Sequence, residues 1–399
     1  MSSLQTKLVS LRRELHRRPE VGMELPETQQ RLLNELKPLR LEVDLGHKCT
    51  SITAVLRGEA PGLAKRTTNS VLLRADMDAL PIVEMAAVPF ASEVHGVMHA
   101  CGHDLHMAML VGAANILSER RHELDGDVVL MFQPGEEGYD GASAMINEGA
   151  LQAAGHTVEA AYALHVFSGQ LPNGCIATKP QTMMASADGF RVKISGRGGH
   201  GSTPHLSRNP IGVMGDMFSG IEGIQSRRFD IFDPVVISIG MASAGTQKNI
   251  IPENAEFAGT VRCFSVAARK KVQKELEDVV QKIASTQGVE VELEYFPEYP
   301  PTVNCSEEAH LALQTGSELF GHHRVLKLPQ PFAASEDFSR ILEIVPGAFI
   351  ALGAVSTDES PSTAPFNHSA YAKFDDTVLE DGAILLAELA MRRLRQSRK

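Results

Sequence analysis

The chain has 399 residues, of which 43% are apolar and 22% charged, and it is too long for one ordinary hydrophobic core, so we expect two domains. Its 38 basic and 49 acidic residues give a net charge of −11, which disfavours nucleic acid and anionic membranes as partners. No apolar run approaches the roughly 20 residues of a membrane-spanning helix, and the amphipathic N-terminal stretch is unlike a secretory signal. The five cysteines are scattered along the sequence, which predicts a reduced, cytoplasmic protein rather than a disulfide framework.

The first half of the chain alternates predicted helices with predicted strands. Amphipathic helices are expected at 4–17 and 27–38, a strand at "SITAVLRG", and a strand running into a polar loop at "SVLLRADMDAL". The pattern continues with a long helix, a buried strand, a helix and an apolar strand, at "LHMAMLVGAANILSERR", "GDVVLMFQP", "SAMINEGAL" and "AAYALHVF". Strands separated by helices predict an α/β domain with a mixed, largely parallel sheet.

From about Phe190 the pattern changes to strand, helix, two strands, helix and strand. The segments are "FRVKISG", "NPIGVMGDMFSGIEGIQSRRF", "PVVISIGMASAG", "NAEFAGTVRCF", "ARKKVQKELEDVVQKIASTQG" and "VEVELEYF". This β-α-β-β-α-β order is that of a ferredoxin-like α+β domain. We therefore predict a small domain at residues 186–297, inserted into a discontinuous α/β domain formed by residues 1–185 and 298–399.

One ten-residue stretch, "MHACGHDLHM", concentrates side chains that can bind metals. They are His99, Cys101, His103, Asp104 and His106. A thiol and an imidazole two residues apart, just before a long apolar helix, would form half of a metal site, and the helix dipole favours the thiolate. On this stretch alone, ordinary core residues are an equally good interpretation.

Further ligand types occur at strand ends and in loops. Glu136 and Glu137 follow the apolar strand "VVLMF", at the carboxyl edge where open α/β sheets bind ligands. His165 lies in the apolar strand "ALHVF" and His368 in the loop "PFNHSAYAKF". Each alone is typical of a core, surface or solvated loop residue. Together with the thiol and imidazole they suffice for two divalent ions that share one ligand, with one carboxylate left over.

The segment "GRGGHG", at 196–201, fits the glycine pattern of a dinucleotide-binding turn. In that motif the glycines open a helix directly, whereas here "STPHLSRNP" intervenes before the predicted helix. No second βαβ half follows. The sequence therefore disfavours a dehydrogenase.

Seven ordered motifs resemble those of the M20 metallopeptidase family. They are "MHACGHDLHMAMLVGAA", "FQPGEEGYDGASAM", "ALHV", "SGRGGHGSTPH", "NIIPENAEFAGTVR", "ASEDFS" and "NHSAY". The sequence is most similar to the amidohydrolase branch, which contains N-acyl-amino-acid, hippurate and auxin-conjugate hydrolases; the opening "LRRELHRRPEVGMELPET" resembles it too. The resemblance implies a catalytic α/β domain interrupted by a dimerising lid, and hence a homodimer.

The resemblance also implies roles for individual residues. Cys101 takes the metal-bridging position, and His103, Glu137, His165 and His368 complete the ligand set for two divalent ions. Zn²⁺ or Mn²⁺ would serve, with Co²⁺ or Ni²⁺ as alternatives. The resemblance makes Glu136 the general base, which fits the chemistry because a proton-accepting carboxylate must stay off the metals.

Other positions have supporting roles by the same resemblance. Asp78 is expected to orient the ligands, Asp104 and His106 are further candidates for this role, and Asp76, where the wider family has a ligand histidine, is left without a role. In the lid, His200 would reach the active site of a partner subunit and stabilise the oxyanion. Asn249 and Arg262 match positions that hold the substrate's carboxylate, which suits an amide and an arginine fork.

The predicted function is metal-dependent hydrolysis of the amide bond of an N-acyl amino acid, giving a carboxylic acid and an amino acid. A dipeptidase or carboxypeptidase of the same family is the first alternative, because the same bond type is broken. The second is a non-enzymatic metal-binding or substrate-binding protein, which the spare carboxylate of Glu136 disfavours. In each case the partner is a small molecule.

Overall fold

The computed structural model describes residues 2–62 and 68–397. The chain divides into a larger unit, of residues 1–183, 303–330 and 337–399, and a smaller unit, of residues 184–302 and 331–336. These limits differ by a few residues from the predicted insertion at 186–297. The segment 331–336 belongs to the smaller unit because Phe332 bridges to Met184, and Ser335 accepts a hydrogen bond of 2.8 Å from Arg262. No local pattern in the sequence signals this.

The larger unit is built on one mixed sheet. Its described strands are β1 (Glu42–Leu45), β2 (Ile52–Leu56), β3 (Ser70–Asp76), β4 (Asp127–Gln133), β5 (Ala160–Phe167), β6 (Ile176–Thr178), β15 (Val325–Lys327) and β16 (Gly347–Gly353). Their order is β1-β2-β4-β3-β5-β16-β6-β15. The central run β4-β3-β5-β16 is parallel, as is the β6–β15 pair, whereas β1–β2, β2–β4 and β6–β16 are antiparallel. The predicted mixed, largely parallel sheet is confirmed.

Helices cover this sheet and supply most of the core. They are α1 (Ser3–Arg17), α2 (Pro26–Leu36), α3 (His103–Glu119), α4 (Gly141–Asn147), α7 (Ser306–Phe320), α8 (Ser339–Leu342) and α9 (Leu379–Ser397). Residues 103–114 of α3 are all buried, because the helix is apolar on nearly every side and packs against α1 and α9. None of the helices described is both long enough and apolar enough to cross a bilayer.

The smaller unit has the predicted β-α-β-β-α-β order. Its elements are β8 (Ala187–Ser195), α5 (Pro210–Arg228), β10 (Val235–Ala244), β12 (Asn254–Cys263), α6 (Val266–Gln287) and β13 (Glu290–Tyr299). The antiparallel sheet has the order β10-β12-β8-β13, and the two helices share one core with its buried face. This unit also contains a short pair of strands, β9 (Gly199–His200) and β11 (Ile250–Ile251). A second short pair, β7 (Gln181–Met184) and β14 (Thr302–Asn304), belongs mostly to the larger unit.

The start of α6 offers a test of this unit's stability. Ser265 caps the helix, since its hydroxyl accepts a hydrogen bond of 2.9 Å from the backbone N–H of Ala268. We expect Ser265→Ala to lower the free energy of unfolding by about 1 kcal/mol, measured by urea denaturation. Ser219→Ala, which removes a hydroxyl from the exposed surface of α5, should change it little. Equal effects of both substitutions would contradict the capping role.

Candidate metal centre

Three neighbouring parallel strands end at one edge of the larger unit's sheet. β3 lies between β4 and β5 and pairs with both in parallel. Glu136 and Glu137 follow β4, Asp76 ends β3 with Asp78 just beyond, and His165 lies near the end of β5. Because carboxyl ends of parallel strands meet at the same edge, these side chains converge there.

Cys101 and His103 lie on either side of Gly102, the residue directly before α3. Gly102 has a φ of +86°, and a Cβ at this position would lie 2.4 Å from Cγ2 of Val166, so only glycine permits this close approach to β5. The approach brings Sγ of Cys101 to 3.4 Å from Nε2 of His165. Cys101 is buried, and His103 is fully buried in the first turn of the helix.

Two sets of three possible metal ligands share Cys101. The first set is Cys101, His103 and His165. The second is Cys101, Glu137 and His368, and within each set the ligand atoms lie within 4.8 Å of one another. Nε2 of His103 lies 3.9 Å from Oε1 of Glu137, so the two sets adjoin. The structure thus brings together all five residues predicted as ligands, with the thiol common to both sets.

The hydrogen bonding of His165 leaves one ring nitrogen available to a metal. Its Nδ1 lies 2.9 Å from the carbonyl oxygen of Val166 and donates to it, so Nε2 carries a lone pair that faces Cys101. Burial and the neighbouring His106 lower the pKa of His165 well below its ordinary value. The ring is therefore neutral near pH 7, which is the form that binds metals.

The surroundings of His103 suit a cation. Neither of its ring nitrogens has a hydrogen-bond partner among the described residues, and the nearest carboxylate oxygens, of Asp78 and Asp76, lie 3.6 and 3.7 Å away. Burial lowers the pKa of His103, but Asp76, with Asp78 and Cys101, raises it by more, so the net pKa is well above its ordinary value. A divalent ion would supply both the positive charge and a partner for the buried nitrogen. The thiol, imidazole and carboxylate donors therefore fit such an ion.

His368 and Glu137 form a close pair on the other side of Cys101. Nε2 of His368 lies 3.1 Å from Oε1 of Glu137. Hydrogen bonds with Cys101 and Glu137 raise the pKa of His368 to about 10. Burial raises the pKa of Glu137, but the hydrogen bond from His368 and the charge of His103 lower it by more. A divalent ion bound to this pair would take the place of the imidazole proton.

A third cluster of possible ligands, Asp76, His103 and His106, is also compact. Nδ1 of His106 donates to Oδ1 of Asp76 at 2.6 Å, while its Nε2 accepts from the backbone N–H of Val166 at 2.8 Å. Both ring nitrogens are thus engaged, and His106 has no lone pair left for a metal. Asp76, left without a role by the sequence, holds His106 and receives a hydrogen bond of 2.6 Å from Arg74.

The other two residues predicted to support the ligands, Asp78 and Asp104, have different kinds of partner. Asp78 accepts the backbone N–H groups of Glu136 and Glu137, each at 3.0 Å, and so fixes the turn that presents both glutamates. Asp104 instead contacts Arg12 at 2.8 Å and His16 at 2.7 Å. Its carboxylate thus belongs to a separate buried network. Among the described residues, these contacts of Asp104 include none with the five predicted ligands.

Glu136 lies beside the predicted ligands without being in the two sets that share the thiol. It is only 6% exposed, and its carboxylate groups with His103 and Glu137, with ligand atoms within 4.8 Å of one another. The turn that carries it contains Gly135 and Gly138, both with positive φ. A buried carboxylate in this position can exchange a proton with a molecule held next to the ligands.

A buried polar network that was not predicted from the sequence joins β3 and β4. Arg74 donates to Gln133 at 2.9 Å and to Asp337 at 2.8 Å, and Gln133 donates to both oxygens of Asp337. Asp337 also accepts the backbone N–H of Ala142 at 3.0 Å. Through Arg74 the network holds Asp76. The motif "ASEDFS", which contains Asp337, was the signal available in the sequence.

Two of the predicted substrate-side residues lie together in the smaller unit. His200 and Asn249 are both exposed, and the backbone N–H of Gly201 donates to the carbonyl of Asn249 at 2.9 Å. Nδ1 of His200 accepts the N–H of Ser202 at 3.2 Å, which leaves the ring proton on Nε2. Arg262, on β12, donates to Ser335 and to the carbonyl of Ser186.

Comparison with known proteins assigns the family. Residues 72–392 match the model of peptidase family M20/M25/M40. The chain is 35% identical to thermostable carboxypeptidase 2 of Saccharolobus solfataricus, over 98% of this chain and 96% of that protein. It is also 35% identical to an N-acetylcysteine deacetylase of Bacillus subtilis, over 98% of this chain and 97% of the relative.

A solved structure agrees in fold and in family. It is that of a dinuclear metal-binding peptidase of family M20 from Bacillus subtilis, which is 32% identical to this chain. The two superpose with a TM-score of 0.84, covering 98% of this chain and 99% of the other. The resemblance seen in the motifs is thereby confirmed over nearly the full sequence, and the chain belongs to the M20/M25/M40 family of hydrolases.

Proposed function

We propose that this protein is a dinuclear metal-dependent amidohydrolase that cleaves N-acyl amino acids into a carboxylic acid and an amino acid. The observation that carries the proposal is the buried carboxylate of Glu136 next to two ligand sets that share Cys101. A site that only bound metal would have no use for this additional carboxylate. The deacetylase among the relatives acts, by its name, on an N-acyl amino acid.

The five ligand residues would hold two divalent ions, Zn²⁺ or Mn²⁺, with Co²⁺ or Ni²⁺ as alternatives. When bound, the ions would polarise the amide carbonyl and lower the pKa of a nearby water. Asp78 accepts the backbone N–H groups of both Glu136 and Glu137 and so fixes the turn that carries them. With this turn fixed, Glu137 would bind metal while Glu136 stays beside the ligands.

Glu136 would carry the proton through the reaction. One of its carboxylate oxygens takes a proton from water as the water oxygen bonds to the carbonyl carbon. The same oxygen then gives the proton to the amide nitrogen as the carbon–nitrogen bond breaks. One water is consumed, and the products are a carboxylic acid and an amino acid.

His200, Asn249 and Arg262 would act on the substrate's other groups. The Nε2–H of His200 can donate to the oxygen on which negative charge develops. An arginine fork and an amide suit the carboxylate of the amino-acid part. These assignments follow the family motifs in which the three residues lie.

We also propose a homodimer formed through the smaller unit, with His200 acting in the partner's active site. β10 is at the edge of its sheet, and Val236 and Met241 on this strand are 45% and 44% exposed. An edge strand with exposed apolar side chains is suited to pairing with its copy about a twofold axis. The dimer would use this edge or the side of a neighbouring helix.

A substrate panel distinguishes the proposed activity from its nearest alternative. Hippurate, other N-acyl amino acids and dipeptides would be compared by kcat/KM on protein loaded with each ion in turn. We expect the N-acyl amino acids to be preferred. A preference for dipeptides would instead favour a peptidase, in line with the carboxypeptidase among the relatives, and no hydrolysis with any ion would contradict both.

The shared ligand can be tested by counting ions. We expect Cys101→Ala to bind fewer than two ions tightly and to lose activity, because its thiol belongs to both ligand sets. Metal content would be measured by inductively coupled plasma spectrometry after dialysis. Cys49→Ala is a matched control, since Cys49 is also buried but belongs to neither set. Two tightly bound ions in Cys101→Ala would refute the bridging role.

A further inference from the structure

Asn367, directly before His368, makes contacts that link three parts of the metal centre. Its Nδ2 donates to the carbonyl of Val166 at 2.9 Å and to the carbonyl of Cys101 at 3.2 Å, and lies 3.7 Å from Sγ of Cys101. Its Oδ1 accepts the backbone N–H of Ser168 at 2.9 Å and the hydroxyl of Ser168 at 3.1 Å. One amide thus joins the end of β5 and the turn before α3 to the loop of His368.

The orientation of this amide is determined by its partners. The N–H of Ser168 can only donate, so it must face Oδ1, and the two carbonyls can only accept, so they must face Nδ2. Rotating the amide by half a turn would oppose donor to donor and acceptor to acceptor. The end of this amide that faces the sulfur of Cys101 is therefore its N–H donor.

The loop that carries Asn367 is held in an unusual conformation. His368 has a φ of +71°, a backbone conformation that residues other than glycine rarely adopt. Its backbone N–H donates to the carbonyl of Ala100 at 2.9 Å. Such a conformation persists only where neighbouring contacts hold it. The amide of Asn367 supplies those contacts on one side, and the bond to Ala100 supplies them on the other.

We infer that Asn367 is a positioning residue for the metal centre, which places the sulfur of Cys101 and the ring of His368 and donates a weak hydrogen bond to the sulfur. The inference rests on the ligand set of the proposed function, because both residues are ligands there. Outer contacts of this kind commonly tune a metal's affinity and its electronic properties. An N–H group directed at a thiolate stabilises the sulfur lone pairs and so lowers the electron donation of the sulfur to a bound ion.

Metal binding and Co²⁺ absorption test this without any substrate. Metal-free wild type and Asn367→Ala would be titrated with Zn²⁺ against a competing chelator, and with Co²⁺ while the thiolate-to-Co²⁺ charge-transfer band is recorded. We expect the variant to bind Zn²⁺ about 10–100-fold more weakly. We also expect its band to move to longer wavelength, because the sulfur lone pairs lose the stabilising N–H group.

Asn115→Ala is the matched control. Asn115 is a half-buried asparagine whose amide donates within α3, to the carbonyl of Val111 at 2.8 Å. It should lower thermal stability at most and leave the Zn²⁺ affinity and the band unchanged. A purely structural role for Asn367 would give the same pattern as this control, with a lower melting temperature and an unchanged band.

Several results would overturn the positioning role of Asn367. Wild-type affinity and an unchanged band in Asn367→Ala would overturn the inference, as would the absence of a thiolate band in wild type. If Asn367→Ala does not fold, Asn367→Asp keeps the size and the contacts to Ser168 but cannot donate, and the same shift of the band to longer wavelength is expected. Failure of both variants to fold would show a structural role instead. If the metal-loaded wild type hydrolyses no N-acyl amino acid while the affinity and the band change as expected in the variant, the proposed substrate class is refuted and this inference stands.

Discussion

Glu136→Gln is expected to retain two bound ions and to lose turnover by about 10²–10⁴-fold, the typical contribution of a general base. The amide has nearly the shape of the carboxylate, so the buried position that Glu136 occupies can accept it. It cannot accept a proton from water, however, and so it cannot pass one to the leaving nitrogen. Metal content, kcat and KM would be measured on the same preparation.

Glu137→Gln provides the contrast for this experiment. Glu137 is next in sequence but belongs to the ligand set with Cys101 and His368, so its substitution should lower metal content as well as turnover. Near-normal kcat in Glu136→Gln would exclude it as the base. Loss of metal from both variants would instead place both glutamates among the ligands.

His200→Ala should lose turnover by about 10²–10³-fold, the usual value of one oxyanion donor, without losing metal. His200 is exposed and lies in the smaller unit, outside the ligand sets. The hydrogen bond that Nδ1 accepts from Ser202 keeps the proton on Nε2, so the ring is ready to donate. Ser202→Ala retains the backbone donor and should have a smaller effect on kcat.

Mixing the two inactive variants tests whether His200 acts across a dimer. A mixed dimer of His200→Ala and Glu136→Gln subunits contains one site in which both residues are intact. Some activity should therefore return once the subunits have exchanged, which a tag on one variant would verify. If exchange is demonstrated and activity remains the sum of the two parents, His200 does not act in trans, although the hydrolase assignment would survive.

The sequence predicted those elements whose burial pattern is regular. The apolar run at 160–167 coincides with β5, which is buried along its whole length. β1 (Glu42–Leu45) was not predicted, because its alternation of polar and apolar residues is only four residues long and all four are exposed. Local periodicity thus finds elements that pack on a core, and misses those held mainly by backbone pairing at a sheet edge.

The side-chain environment of the site was predictable only in part. Ordered motifs led to the five ligands and to Glu136, which the fold brings together. The contacts of Asp104 were not predictable, because the first turns of α3 are buried on all sides and no periodicity tells which way a side chain points. Asn367 and Asp337 find their partners far away in sequence, so only the tertiary structure reveals what they hold.

Restoring metal to the stripped protein tests whether this chain is a dinuclear metal-dependent amidohydrolase. Hydrolysis of hippurate and other N-acyl amino acids would be followed while Zn²⁺, Mn²⁺, Co²⁺ or Ni²⁺ is added in measured equivalents. We expect negligible turnover without metal, and recovery that is complete at two ions per chain for at least one ion and one substrate. Equal rates with and without metal, or no hydrolysis of any N-acyl amino acid with any of the four ions, would contradict it.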